Sequence, residues 1–132
     1  MFYNKGNIIN GIRHFSPVEA LQECQNGALL IDLRREFEYL YKQFNVPEVI
    51  YSRPELVREH YEKIPIDIPV IIADNAGLRS REIVEFLQGK GFTNVANLVG
   101  GMFEWDRGGL PLNINNKEML SGACLCVLRK KK

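Results

Sequence analysis

Cysteine and net charge are both scarce in this chain, and each shortage removes a class of function. Three cysteines in 132 residues do not make a disulfide framework, so a reducing, cytoplasmic setting is expected. The 17 Lys and Arg nearly cancel the 16 Asp and Glu, for a formal net charge of +1. That balance projects no strong field toward nucleic acid or a membrane surface, and neither is expected as a partner. The opening stretch MFYNKGNIIN has no long apolar run, so no signal peptide or membrane span is expected there. Internal repeats and low-complexity segments are absent. Positive charge does collect at Arg129-Lys130-Lys131-Lys132, a pattern typical of a solvated, frayed tail. With 45% hydrophobic and 25% charged residues, the chain suits one globular domain around one core.

What is present alternates between helical and extended patterns. FSPVEALQEC is a helix start, with Ser16 as N-cap, Pro17 at the first helical position and Glu19 three residues after the cap. GALLIDL is a short continuous apolar run ending in Asp32, as expected of a strand covered on both faces. RREFEYLYKQF is a helical pattern, EVIYS (48–52) a strand, and SRPELVREHYEKI a helix with Ser52 near its start. IPVIIAD (68–74) is the most apolar strand and is expected at the centre. SREIVEFLQGKG is a helix turning Ile83, Val84, Phe86 and Leu87 inward and stopping at Gly89 or Gly91. TNVANLVGG holds a last strand and GMFEWDRGG a short closing helix. Strands alternating with helices imply βαβ units, a parallel sheet and helices on both faces. Ligands in such sheets bind beyond the carboxyl ends of the strands, where Asp32 and Asp74 both fall.

Three stretches, IDLRREFEY (31–39), IPVIIADNAGLRS (68–80) and GFTNVANLVGGMFEWDRGGLPL (91–112), together resemble a single rhodanese-like domain over about residues 12–113. The resemblance implies an α/β fold with a five-stranded parallel sheet flanked by helices. It divides the chain into a domain at 1–113 and an extension at 114–132 that carries Cys-x-Cys and the basic tail. In catalytic members it implies sulfur transfer from a donor such as thiosulfate to a thiophilic acceptor. The family's active loop runs Cys, three to Gly, two to Arg, then Ser or Thr. Gly77, Arg79 and Ser80 keep that register, which puts Asp74 where the cysteine belongs and leaves Asn75, Ala76 and Leu78 between. Asp32-Leu33-Arg34 retains the family's Asp-x-Arg. The family's Gly-His-Ile-Pro-Gly-Ala is here Gln43-Phe44-Asn45-Val46-Pro47-Glu48, with the histidine gone.

Backbone N–H groups ahead of a helix form a nest that favours negative charge, and in active members it lowers the thiol pKa and holds the persulfide. A carboxylate cannot form the sulfur–sulfur bond. It can accept the loop N–H groups, at about 1.5–3 kcal/mol for each charge-assisted bond, so the site plugs itself with its own anion. Arg79 can bind a separate anion or pair with Asp74. Asp74 thus fits a retired catalytic loop, an oxygen nucleophile for phosphoryl or acyl transfer, or sulfur chemistry moved to another thiol. The second needs an acid–base partner and usually a metal, and nothing nearby in sequence supplies either. A phosphatase-like reading also needs the loop cysteine and a longer loop.

Cys124 and Cys126 in SGACLCVLRKKK are the candidate thiols. If extended, they put both sulfurs on one face. They can relay sulfur, form a redox pair or supply half of a zinc site; the simpler alternative is an apolar strand that docks with its cysteines packed. Cys24 is expected in the core, and His14 and His60 at or near the surface rather than as ligands. The reading that results is a rhodanese-like domain lacking the catalytic cysteine, a binding or regulatory module more than an enzyme. The alternative is a sulfurtransferase or sulfur carrier using Cys124 and Cys126. A protein partner or small anion is expected at the 74–80 loop, with no metal or cofactor, in a monomer or weak dimer.

Overall fold

The structure, a computed structural model, describes Phe2, residues 5–114 and the backbone of residues 123–124. In chain order the elements are β1 (Asn7–Ile9), β2 (Ile12–Phe15), α1 (Pro17–Gln25), β3 (Leu29–Asp32), α2 (Glu36–Tyr41), β4 (Lys42–Phe44) and β5 (Val49–Tyr51). They continue with α3 (Pro54–His60), a 3₁₀ turn at Tyr61–Lys63, β6 (Val70–Ala73), α4 (Arg79–Gly89), β7 (Val95–Leu98), α5 (Gly101–Arg107), β8 (Leu112–Ile114) and β9 (Ala123–Cys124).

The main sheet runs β1-β2-β7-β6-β3-β5-β9. The five parallel strands implied by the resemblance are β2, β7, β6, β3 and β5. A sixth parallel strand, β9, lies on β5, and β1 pairs antiparallel with β2 at the opposite edge. The four apolar runs seen in sequence are β3, β5, β6 and β7. The fifth, β2, reads IRHF and carries two polar residues in four, so it lacks the continuous hydrophobic signature.

Alternating side chains of the strands feed two cores. Leu29, Ile31, Ile50, Val70, Ile72 and Val95 pack with Val57 of α3 and Ile83, Val84 and Leu87 of α4. Leu30, Ile71, Ala73, Ala96 and Leu98 pack with Ala20 and Cys24 of α1 and Met102 and Trp105 of α5. Burial on both faces is what the all-apolar strands require. Helix α1 begins as expected, with Ser16 Oγ accepting from Glu19 N and Glu19 Oε1 accepting from Ser16 N. Helix α4 ends at Gly89, and Gly91 follows at φ +100 while Phe92 N donates to Leu87 O at 3.0 Å.

One local expectation changes. The helical pattern at 34–44 stops at Tyr41, and Lys42–Phe44 pairs antiparallel with Leu112–Ile114. Long-range packing decides this: Phe44 is buried edge-on against Trp105, with ring centroids 5.1 Å apart. Ser52 lies near the start of α3 as expected, beside the N-cap Arg53, with its Oγ 3.3 Å from Arg53 O. Phe86 faces inward as expected, half-buried against the core and edge-on to Tyr61.

Candidate functional site

Strand β6 is wholly buried and delivers Asp74 at the carboxyl edge of the sheet, where the chain turns through Asn75–Leu78 into α4. The Asp74 side chain folds back over this turn and is only 7% exposed. Its Oδ1 accepts from Gly77 N. Its Oδ2 accepts from Arg79 N at 2.8 Å and Ser80 N at 3.0 Å. Two of these donors belong to the first turn of α4, whose N-cap residue, Leu78, offers no side-chain bond. The carboxylate therefore caps α4 from a distance, satisfying amides that would otherwise be orphans and sitting at the positive end of the helix dipole. The Arg79 side chain is exposed, and among the described residues no ion pair joins it to Asp74.

The loop is clamped from behind. Met102 N donates to Asp74 O at 2.8 Å and Phe103 N to Asn75 O at 3.0 Å, so the start of α5 holds the loop carbonyls. That approach requires glycine at 101, where a Cβ would stand 2.2 Å from Asp74 O and φ is +56. Gly77, at φ +88, is also close to backbone: a Cβ there would stand 2.9 Å from Gly100 N. Below the loop, Ser80 Oγ donates to Asn97 Oδ1, and Asn97 Nδ2 donates to His14 Nδ1 at 3.1 Å. An amide NH₂ can only donate, so His14 Nδ1 is the unprotonated nitrogen. Burial, and secondarily the charge of Arg81, hold the His14 pKa below the ordinary imidazole value.

Asp32 and Arg34 form a separate buried pair. Arg34 Nε lies 3.0 and 3.2 Å from the two Asp32 oxygens, Arg34 Nη2 donates to Oδ2 at 2.8 Å, and Arg34 Nη2 also reaches Lys42 O at 2.7 Å. Burial pushes the Asp32 carboxyl upward, against the charge and hydrogen bonds of Arg34. The pair ties β3 to β4 and turns its charges on each other. Glu38 reaches the loop instead. Its Oε2 accepts from Asn75 Nδ2 at 2.7 Å and its Oε1 from Arg35 N at 3.0 Å. Partial burial works to raise Glu38, and these two bonds with the charges of Arg34 and Arg35 outweigh it and hold its pKa low.

The loop residues Asp74, Asn75, Ala76, Leu78 and Arg79 line a cleft of about 250 Å³ together with Leu33, Arg34, Arg35 and Glu38. Asp32, expected beside the loop, lies beneath Arg34 and outside that lining. Cys24 is fully buried, and burial, then the charge of Glu23, push its thiol up to about 12. It is a core residue as expected. The backbone of Cys124 pairs with Tyr51, whose neighbours in register are Asp32 and then Ala73. Cys126 and Arg129–Lys132 lie outside the described residues. Glu38, Asn97 and the clamp at Gly101 were not singled out in sequence; each acts through a partner more than 15 residues away. Among the described residues no group of three or more His, Cys, Asp and Glu is placed to hold a metal, and no helix is long and apolar enough to cross a membrane.

Known proteins share this architecture. The model of the rhodanese-like domain matches residues 16–107. A thiosulfate sulfurtransferase GlpE of Haemophilus influenzae is 28% identical over 102 residues, which are 76% of this chain and 94% of that protein. A sulfurtransferase of Allochromatium vinosum is 30% identical over 105 residues, covering 80% and 95% of the two chains. The crystal structure of a rhodanese-related protein from Thermoplasma volcanium superposes with a TM-score of 0.68 at 25% identity, over 76% of this chain and 97% of that one. With the parallel sheet, the β6–α4 loop and a family match spanning most of its length, the chain belongs to the rhodanese-like family.

Proposed function

We propose that the chain is a non-catalytic member of this family, a binding or regulatory module in which Asp74 stands at the position of the loop cysteine. One observation carries the reading. The Asp74 carboxylate takes the N–H groups of Gly77, Arg79 and Ser80, so the donors that would hold a persulfide or an incoming anion are already engaged. A carboxylate has no sulfur with which to take the sulfane atom of thiosulfate and release sulfite. The loop then serves as a rigid surface, with exposed Asn75, Ala76, Leu78 and Arg79 available to a protein partner or a small anion. Residues 1–113 form the domain in this reading, and 114–132 an extension that contributes β9.

The test is thiosulfate:cyanide sulfurtransferase activity of the purified chain. The expected result is no turnover, and turnover at the level of active family members overturns the reading. Asp74→Cys is expected to gain activity, since Gly77, Arg79 and Ser80 supply the rest of the loop.

A second reading keeps sulfur chemistry but moves the thiol to Cys124 or Cys126. It is supported by the parallel pairing of β9 with β5, in which Cys124 sits opposite Tyr51 on the sheet edge that carries the loop. Intact-protein mass spectrometry after thiosulfate loading then shows one added sulfur, lost in the double variant Cys124→Ser/Cys126→Ser. An unmodified mass, or an adduct that survives both substitutions, removes this reading.

A further inference from the structure

The hydrogen-bonded chain Ser80–Asn97–His14 beneath the loop joins the Asp74 carboxylate to a second surface. At one end Ser80 N donates to Asp74 Oδ2 at 3.0 Å. At the other, His14 is half-buried and lines an open cleft of about 200 Å³ beside Leu78 of the loop. Between them Ser80 is fully buried and Asn97 is 2% exposed, so solvent meets the chain at the histidine.

Each link pairs one donor with one acceptor, which fixes the direction of all of them. Ser80 Oγ donates to Asn97 Oδ1, and Asn97 Nδ2 donates to the unprotonated His14 Nδ1 at 3.1 Å. A proton taken from solvent by Nδ1 makes that nitrogen a donor facing the Asn97 NH₂. Two donors cannot pair, and leaving them unsatisfied under cover is costly. A half-turn of the Asn97 amide removes the conflict: Oδ1 accepts from His14 Nδ1–H, and Nδ2 donates to Ser80 Oγ. The Ser80 hydroxyl proton then loses its acceptor and turns to Asp74, whose Oδ2 already takes the Ser80 amide. One proton enters, at His14, and no bond to hydrogen breaks along the chain; the amide and the hydroxyl only exchange donor and acceptor roles.

The charged groups around His14 all come from α4: Arg81, Glu82 and Glu85 share its cleft. The flanking strands bring none, since β1 and β7 set Asn7 and Asn97 beside it in register. Burial, then the charge of Arg81, hold its pKa below the ordinary 6.5, so its protonation falls on the acid side of neutrality. We propose that His14 is a proton sensor for the 74–80 loop: its protonation reverses the Ser80–Asn97–His14 hydrogen bonds and adds the Ser80 hydroxyl as a fourth donor to the Asp74 carboxylate. As regulation of the loop this rests on the binding-module reading, while the linkage itself is independent of turnover.

A pH titration of the full ¹⁵N-labelled chain by NMR, across the histidine range from about 8 down to about 5, tests the linkage. Imidazole ¹⁵N shifts report His14, the side-chain NH₂ reports Asn97, and backbone amides report Gly77, Arg79 and Ser80. One shared inflection below pH 6.5 is expected at all of them. His14→Asn keeps an uncharged acceptor and is expected to abolish the inflection at Asn97 and at the loop. In Ser80→Ala, which removes only the hydroxyl, His14 and Asn97 are expected to titrate still while the loop amides no longer follow. The proposal is overturned if the loop amides lack the His14 inflection, or if the inflection survives His14→Asn, which would assign it to a carboxylate such as Glu38. Its survival in Ser80→Ala also overturns the proposal, since the loop would then be sensing only the field of the His14 charge. Sulfurtransferase turnover would contradict the binding-module reading and leave this titration unchanged.

Discussion

Asp74 gathers three backbone donors into one carboxylate, and its removal strands two of them at a buried position and the third, Arg79 N, at a half-buried one. Asp74→Ala is expected to lower stability by about 2–4 kcal/mol, because unsatisfied amides cost more than a typical bond contributes. Asp74→Asn keeps one acceptor oxygen but turns an NH₂ toward backbone donors, and about 1–2 kcal/mol is expected. Urea denaturation monitored by circular dichroism measures both, and equal stability of all three proteins contradicts the capping role. His14 gives a pH signature. Its folded pKa lies below the unfolded value of 6.5, so the unfolded chain binds the proton more readily. Its contribution is complete above 6.5 and fades as pH falls toward the folded value. In His14→Asn that part of the decline in urea midpoint on acidification is expected to vanish. Asp74 itself was legible because a buried strand led into Gly77, Arg79 and Ser80 at fixed spacing. The Asn75–Glu38 bond and the Ser80–Asn97–His14 chain were not, since nothing local in sequence marks which distant side chain will arrive.

At the scale of elements, the loop is held between α4, which donates to the Asp74 side chain, and α5, which donates to the Asp74 and Asn75 carbonyls. Gly101→Ala places a methyl against Asp74 O and forces an L residue to φ +56. A loss of about 2–4 kcal/mol is expected, with loop amides 75–80 exchanging faster in hydrogen-exchange measurements. Unchanged exchange at 75–80 contradicts the clamp. Continuous apolar runs and the Ser16 capping box made four strands and α1 readable in advance. β4 and β2 escaped because their states are set by neighbours: Phe44 by Trp105, and IRHF by its pairing with β7. A short polar-containing strand has no period strong enough to announce itself.

For the whole molecule, family membership does not by itself set the chemistry. The parallel sheet, the two cores and the position of the loop follow from patterning that the chain shares with its sulfurtransferase relatives, while activity depends on the group placed at the loop. Function is read from that site and not from the fold. The most direct measurement is the thiosulfate:cyanide sulfurtransferase rate of the purified, unmodified chain. A loop filled by the Asp74 carboxylate predicts no turnover above the protein-free reaction. Turnover comparable to that of active rhodanese-like sulfurtransferases would contradict it.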